Sequence, residues 1–166
     1  MPNMPVMIDG HNLIPKIPGM HLSDLDDEIR LVEMLQVYAR LRRKGVVECY
    51  FDKALAGRPR TQMAGTVKVQ FARPGKTADT EIETRLAQLG RQARNWVVVS
   101  ADQRVRQAAR AAGAQDVSSD IFAKELLSVL ATRPKRAPHP SQEEFTQKEV
   151  EMWLEAFRKR PKEKEG

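Results

Sequence analysis

Short apolar runs alternate with amphipathic stretches along most of this chain, and that alternation limits the fold more than any other feature. Residues 4–8 (MPVMI), 46–51 (VVECYF), 66–71 (TVKVQF) and 96–99 (WVVV) read as strands, with 114–117 (AQDV) as a short fifth strand at an edge. Helices are expected between them. Ser23 is an N-cap, followed by Asp24, Asp26 and Asp27 in a first turn where acids suit the helix dipole. That helix presents Leu25, Ile29, Val32, Leu35 and Leu41 on one face, widened by Leu31 and Tyr38, and stops at Gly45. Thr77 caps a helix to about Arg94 with Ile82, Leu86 and Leu89 inward. Ser100 and Gln103 form a capping box for a helix through Ala112, which Gly113 ends. Ser118 or Ser119 starts another through Leu130, with Ile121, Phe122, Leu126 and Leu130 inward. Residues 13–22 read as loop, and 53–65 as loop or a short irregular helix. Strand–helix alternation of this kind gives a mainly parallel sheet of four to five strands with helices on both faces, a three-layer α/β/α sandwich closed by right-handed crossovers.

This domain is expected over residues 1–132. RPKRAPHP at 133–140 is a proline-rich basic linker, and 161–166 is a charged tail. Between them, Ser141 and Glu144 box the start of a helix over 141–160, with Val150, Trp153, Leu154 and Phe157 on one face. So apolar a face needs cover, from the sheet domain or from a second copy of the chain in a homodimer.

The 166 residues suffice for one domain with a core, and 41% hydrophobic against 30% charged residues describes a globular chain. No run approaches the ~20 apolar residues of a membrane span, and the N-terminus has no secretory signal pattern. Cys49, the single cysteine, lies in an apolar run. It reads as a buried core residue in a reducing, cytoplasmic setting rather than a catalytic thiol. A net charge of +6 suits a polyanionic partner.

Four aspartates follow predicted strands: Asp9 and Asp52 directly, Asp79 at the start of the helix after strand three, and Asp102 just after strand four. In an open parallel sheet, ligands sit beyond the carboxyl ends of the strands. Four crossovers therefore deliver an acid to one edge. Clustered acids repel, and a hard cation such as Mg²⁺ or Mn²⁺ is the simplest neutraliser. All four are candidate metal ligands and catalytic residues. Asn12, one turn past Asp9, is a candidate to hold a phosphate or a metal-bound water. Taken singly, each acid also has a plain reading as a turn or first-turn residue; the combination carries the functional one. His11 is a candidate base, although a histidine at such a place is more often exposed or hydrogen-bonded to backbone. Glu81 is open between the site and a structural role, Glu83 points to solvent, and His21 and His139 lack metal-ligand spacing. Trp96 and Trp153 are expected in the core or an interface.

At these residues the chain resembles the NYN domain of the PIN-like nuclease superfamily, particularly its YacP-like branch. The pieces are MIDGHNLI, YFD, VQFARPGKTADTEIE, VVVSAD and GAQDVSSDIFAKEL, in family order from residue 6 to about 130. The resemblance implies a PIN-like α/β/α sandwich and metal-dependent cleavage of RNA. It maps the acidic cluster onto Asp9, Asp52, Asp79 and Asp102, the asparagine onto Asn12 and a small hydroxyl residue onto Ser100. His11 stands where a tyrosine is commoner, and Ala101 where the branch often has serine; neither departure removes an acid. With Ser100, the candidate RNA contacts are Arg58, Arg60, Arg73, Lys76, Thr77 and Arg104. The expected function is a metal-dependent endoribonuclease acting on single-stranded RNA, free or presented by a ribosome or other ribonucleoprotein. A non-catalytic RNA-binding module on the same fold is the main alternative. A phosphatase or another metal-dependent phosphoryl-transfer enzyme of similar topology is a further one; a site of haloacid-dehalogenase type is disfavoured because Gly10 and His11 follow Asp9 where it needs Asp-x-Asp.

Overall fold

A computed structural model describes residues 4–21, 25–52 and 59–132. The linker, the helix over 141–160 and the tail lie outside the described residues, as do the Ser23 cap and Arg58. Six strands form one sheet: β1 (Val6–Asp9), β2 (Val47–Phe51), β3 (Thr61–Ala64), β4 (Val67–Phe71), β5 (Val97–Val99) and β6 (Gln115–Val117). Their order is β3-β4-β2-β1-β5-β6. All neighbours are parallel except β3, which pairs antiparallel with β4. Among the described residues the α-helices are α1 (Gly10–Leu13), α2 (Leu25–Arg42), α3 (Ala78–Leu89), α4 (Gln103–Ala111) and α5 (Ser119–Ala131).

Side-chain alternation splits the core between the two faces of the sheet. Val6, Ile8, Val47, Cys49, Phe51, Val67, Val69, Phe71 and Val99 pack beneath α1, α2 and α5. Met7, Tyr50 and Val98 pack with Ile82, Leu86, Trp96, Val105 and Ala109 beneath α3 and α4. Cys49 is fully enclosed, and burial pushes its thiol well up, so it is an inert core residue. One charged side chain enters the second layer. Glu48 is 2% exposed and accepts from Arg85 Nε and Nη2 (2.9–3.2 Å) and from the Tyr50 hydroxyl at 2.7 Å. The Arg85 guanidinium also lies 5.4 Å from the centroid of the Trp96 ring. This network ties the middle of α3 to β2.

The architecture agrees with expectation, and the differences have local causes. The segment after β1 is helical rather than loop: α1 runs into a 3-10 turn at Ile14–Lys16, with Pro15 near its start, where a missing N–H costs nothing. Strand β3 falls in the segment expected to be loop. Gly65 (φ 63°) makes the tight turn into β4 and brings Ala64 opposite Val67. Helix α2 ends at Arg42 rather than at Gly45. Arg43 takes the left-handed conformation (φ 56°), and the Lys44 N–H closes back on the Ala39 carbonyl at 2.9 Å. The inward faces of two helices are rotated from expectation. Ile29 is 42% and Ile121 62% exposed, while Leu31, Met34, Leu35 and Tyr38 on α2, and Phe122, Ala123, Leu126 and Leu127 on α5, are buried. No described helix is long and apolar enough to cross a membrane.

Candidate active site

The carboxyl ends of β1, β2, β4 and β5 share one edge, and the order of the parallel strands changes direction at β1. Asp9 is the last residue of β1 and is 1% exposed. Asp79 stands in the first turn of α3 and Asp102 at the N-cap of α4. The Asp79 side chain lies between the other two, within hydrogen-bonding reach of both. Burial, followed by the charge of Asp79, pushes the Asp9 carboxyl up to about 7, against a pull downward from the Asn12 backbone N–H. Burial and the neighbouring Asp102 also raise Asp79. Asp9 thus keeps its proton up to near neutral pH, hydrogen-bonded to the Asp79 carboxylate beside it.

Asp52 sits beside this trio rather than within it. Its Oδ1 accepts from the Ala78 N–H at 3.0 Å, which caps the start of α3 from a separate strand, and its Oδ2 lies 3.3 Å from His11 Nδ1. The charge of Asp52 still raises both Asp9 and Asp79. Asp102 also gives one oxygen to the backbone, accepting from the Arg104 N–H at 2.8 Å. Asp102 therefore caps α4, and the expected Ser100–Gln103 box does not form.

Ser100 is fully buried, so it cannot touch RNA, contrary to expectation. Its hydroxyl accepts from the Asp102 N–H at 3.0 Å and lies 3.3 Å from Asn12 Oδ1 and 3.5 Å from Asp9 Oδ2. Asn12 Oδ1 also accepts from the Ala101 N–H at 2.8 Å. Instead of reaching outward to a phosphate, Asn12 and Ser100 clamp the loop between β5 and α4, and Ser100 links the Asp102 backbone to Asp9.

Among the basic candidates, Arg104 is held by Glu83 through two bonds of 2.7 and 2.9 Å, and Arg73 gives its backbone N–H and Nε to Glu81. Glu81 and Glu83 are therefore ion-pair partners of those arginines and stand apart from the acid trio. Thr77 caps α3, accepting from Thr80 N. Arg60 and Lys76 are exposed. Sequence reasoning missed Glu28, which lies on α2. Its Oε2 lies 2.6 Å from His11 Nε2, making His11 a bridge between Glu28 and Asp52. Burial pushes the imidazole down, but its bonds to the two carboxylates outweigh this and the net shift is upward. Only the apolar spacing of α2, which turns residue 28 toward this edge, hinted at the contact.

An all-oxygen donor set sharing one proton has the chemistry that a hard divalent cation suits. The trio would have to close further to hold one, because among the described residues no three acids, imidazoles or thiols already converge on a single cation position. The donors fit the ion in kind, and binding would draw them together.

No curated protein sequence matches the chain. Two crystal structures of Rae1 (YacP) from Bacillus subtilis are similar to it. One is 25% identical with a TM-score of 0.61, covering 75% of this chain and 74% of that one. The other, of a tryptophan-to-leucine mutant, is 24% identical with a TM-score of 0.59, covering 75% and 76%. The model of the YacP-like NYN domain matches residues 6–161, which takes in both the sheet domain and the segment after it. A match over nearly the whole length, on a sheet that collects its aspartates at one edge, means that the chain belongs to the YacP-like NYN domain family.

Proposed function

We propose that the protein is a metal-dependent endoribonuclease that hydrolyses phosphodiester bonds in single-stranded RNA. The observation that supports this is the meeting of Asp9, Asp79 and Asp102, with Asp52 alongside, on a chain of net charge +6. Asp9, Asp79 and Asp102 would hold Mg²⁺ or Mn²⁺, and Asp52 would stand next to it. The cation would supply a water of lowered pKa and would offset charge building on the phosphoryl oxygens.

The protein's own residues prepare that chemistry. Asn12 and Ser100 clamp the loop that carries Asp102, and Ser100 links its backbone to Asp9. Glu28, through His11, orients the exposed Asp52. The proton that Asp9 retains near neutral pH must leave before a cation takes its place, so metal affinity falls as pH drops below about 7. The substrate is RNA, free or displayed by a ribosome or another ribonucleoprotein, and the compartment is the cytoplasm. A homodimer through the segment 141–160 is part of this proposal; light scattering then shows twice the chain mass, and half that after truncation at Arg133.

The test is cleavage of a single-stranded RNA with Mn²⁺ or Mg²⁺, with and without EDTA. Asp9→Asn and Asp79→Asn abolish turnover while the fold persists; equal cleavage by variants and parent would reject the site. A second reading, an RNA-binding module without turnover, is favoured by one observation. Asp52 and Asp102 each already give an oxygen to a helix N-terminus. That reading predicts salt-sensitive RNA binding and no metal-dependent product.

A further inference from the structure

The faces of β4 are unequal. Val67, Val69 and Phe71 point into the core beneath α2, so Lys68 and Gln70 point to the opposite side. On that side α3 packs over β1 and β2, and among the described residues no helix lies over the β3–β4 hairpin. The step between α3 and the bare hairpin is a cleft of about 210 Å³. Arg60, Arg73 and Arg85 line it, with Gln70, Thr84 and Gln88.

Its walls are nearly all polar; Glu81 pairs with Arg73 and Glu48 with Arg85, which leaves the charge of Arg60. The Arg73–Glu81 pair uses Nε, and a guanidinium carries four further N–H donors. Arg85 is anchored from below by Glu48. The Gln70 amide is oriented by the Thr61 hydroxyl, which donates to its Oε1 at 2.6 Å. The charge left over calls for an anion, and the amides and hydroxyl offer donors and acceptors for a sugar or base edge. Thr84, Arg85 and Gln88 follow Asp79 by five to nine residues on the same helix, about 7–14 Å along its axis. The cleft thus opens beside the acid edge, one or two nucleotides away.

We infer that this cleft is a nucleotide subsite of the RNA strand. Arg60 and Arg73 take a phosphate flanking the scissile one, and Gln70, Thr84 and Gln88 take the ribose 2′-hydroxyl and base edge, where RNA differs from DNA. This rests on the nuclease reading for its choice of ligand.

The test uses the full chain carrying Asp79→Asn, so that nothing is cut, and fluorescein-labelled hexauridylate read by fluorescence anisotropy across salt concentrations. Arg60→Ala and Gln88→Ala alter exposed residues and keep the fold; Arg91→Ala, an exposed arginine outside the cleft, is the control. Arg60→Ala weakens binding at least fivefold and lowers the log–log salt slope by about 0.7, the release expected for one phosphate on a single strand. Gln88→Ala narrows the preference for hexauridylate over its deoxy counterpart. Arg91→Ala stays within twofold of its parent. On the otherwise unaltered chain, Arg60→Ala raises KM and leaves kcat within twofold. The subsite is overturned when the parent does not bind hexauridylate, or when Arg60→Ala and Gln88→Ala bind as Arg91→Ala does. Loss of affinity and slope in Arg60→Ala, on a chain that never cleaves RNA, keeps the subsite and rejects the nuclease. Cleavage with KM and slope untouched by Arg60→Ala does the reverse.

Discussion

Asp9 spends folding stability to hold its place. A carboxyl raised from its ordinary value to about 7 binds a proton in the folded state that the unfolded chain has already released, so stability falls as pH rises from about 4 to 7. The cost at neutral pH is on the order of 3–4 kcal/mol. Asp9→Asn removes it. Thermal melts in EDTA are expected to show the variant well above the parent at pH 8. Little gain is expected at pH 4, where the unfolded chain also carries the Asp9 proton about half the time. The neighbouring glycine answers to sterics. A Cβ on Gly10 would lie 2.4–2.9 Å from the Phe51 ring, which is buried and stacked on Phe71. Gly10→Ala forces that ring aside and costs about 1–3 kcal/mol in denaturant midpoint analysis. The sequence shows that a glycine follows Asp9 within MIDGHNLI, and not why a larger residue is barred. The ring that forbids a larger residue comes from β2, a distant part of the chain, which local pattern does not reveal.

At the scale of elements, the buried strands and the caps at Thr77 and Ser118 were legible because they rest on local signals: unbroken apolar runs and a hydroxyl before a helical period. What was not legible depends on partners. Strand β3 (TQMA) reads as loop because it lacks apolar alternation, and none of its residues is buried, so only the hairpin with β4 makes it a strand. In SAD, Ser100 and Asp102 both suit an N-cap, and the pull of Asn12 on the loop decides in favour of Asp102. The faces of α2 and α5 turned away from Ile29 and Ile121 because two helices share one sheet face and bury their mutual contact as well. All four aspartates were found from their place after strands, yet the sequence could not separate the trio from Asp52. Glu48 lay hidden in an apolar run. Glu48→Gln leaves Arg85 against Trp96 without a counter-charge, and is expected to destabilise the fold by about 3–5 kcal/mol, measured by urea unfolding. A Glu48→Leu, Arg85→Met double variant recovers most of that loss.

For the whole molecule, a chain of net charge +6 carries an acidic edge, and the proposed cation would offset the repulsion within that edge. Mn²⁺ titrated into the parent at pH 7.5 is expected to raise the melting temperature progressively, as for any ligand that binds only the folded state. Asp9→Asn and Asp79→Asn blunt that rise, and magnesium in place of manganese gives the same order among the proteins. Absence of any shift in the parent would remove the metal from the proposal while leaving the fold untouched.

The Ser100–Asp9 contact joins positions 91 residues apart. Closing so long a loop is slow and comes late. A chain emerging during translation holds Asp9 and Asp52 long before β5 exists to dock against β1, and Asp102 has no place to stand until it does. Synthesis interrupted anywhere before that docking releases a polypeptide in which Asp102 cannot join Asp79 and Asp9. The order in which this sequence leaves the ribosome therefore keeps the four acids apart until β5 is in place.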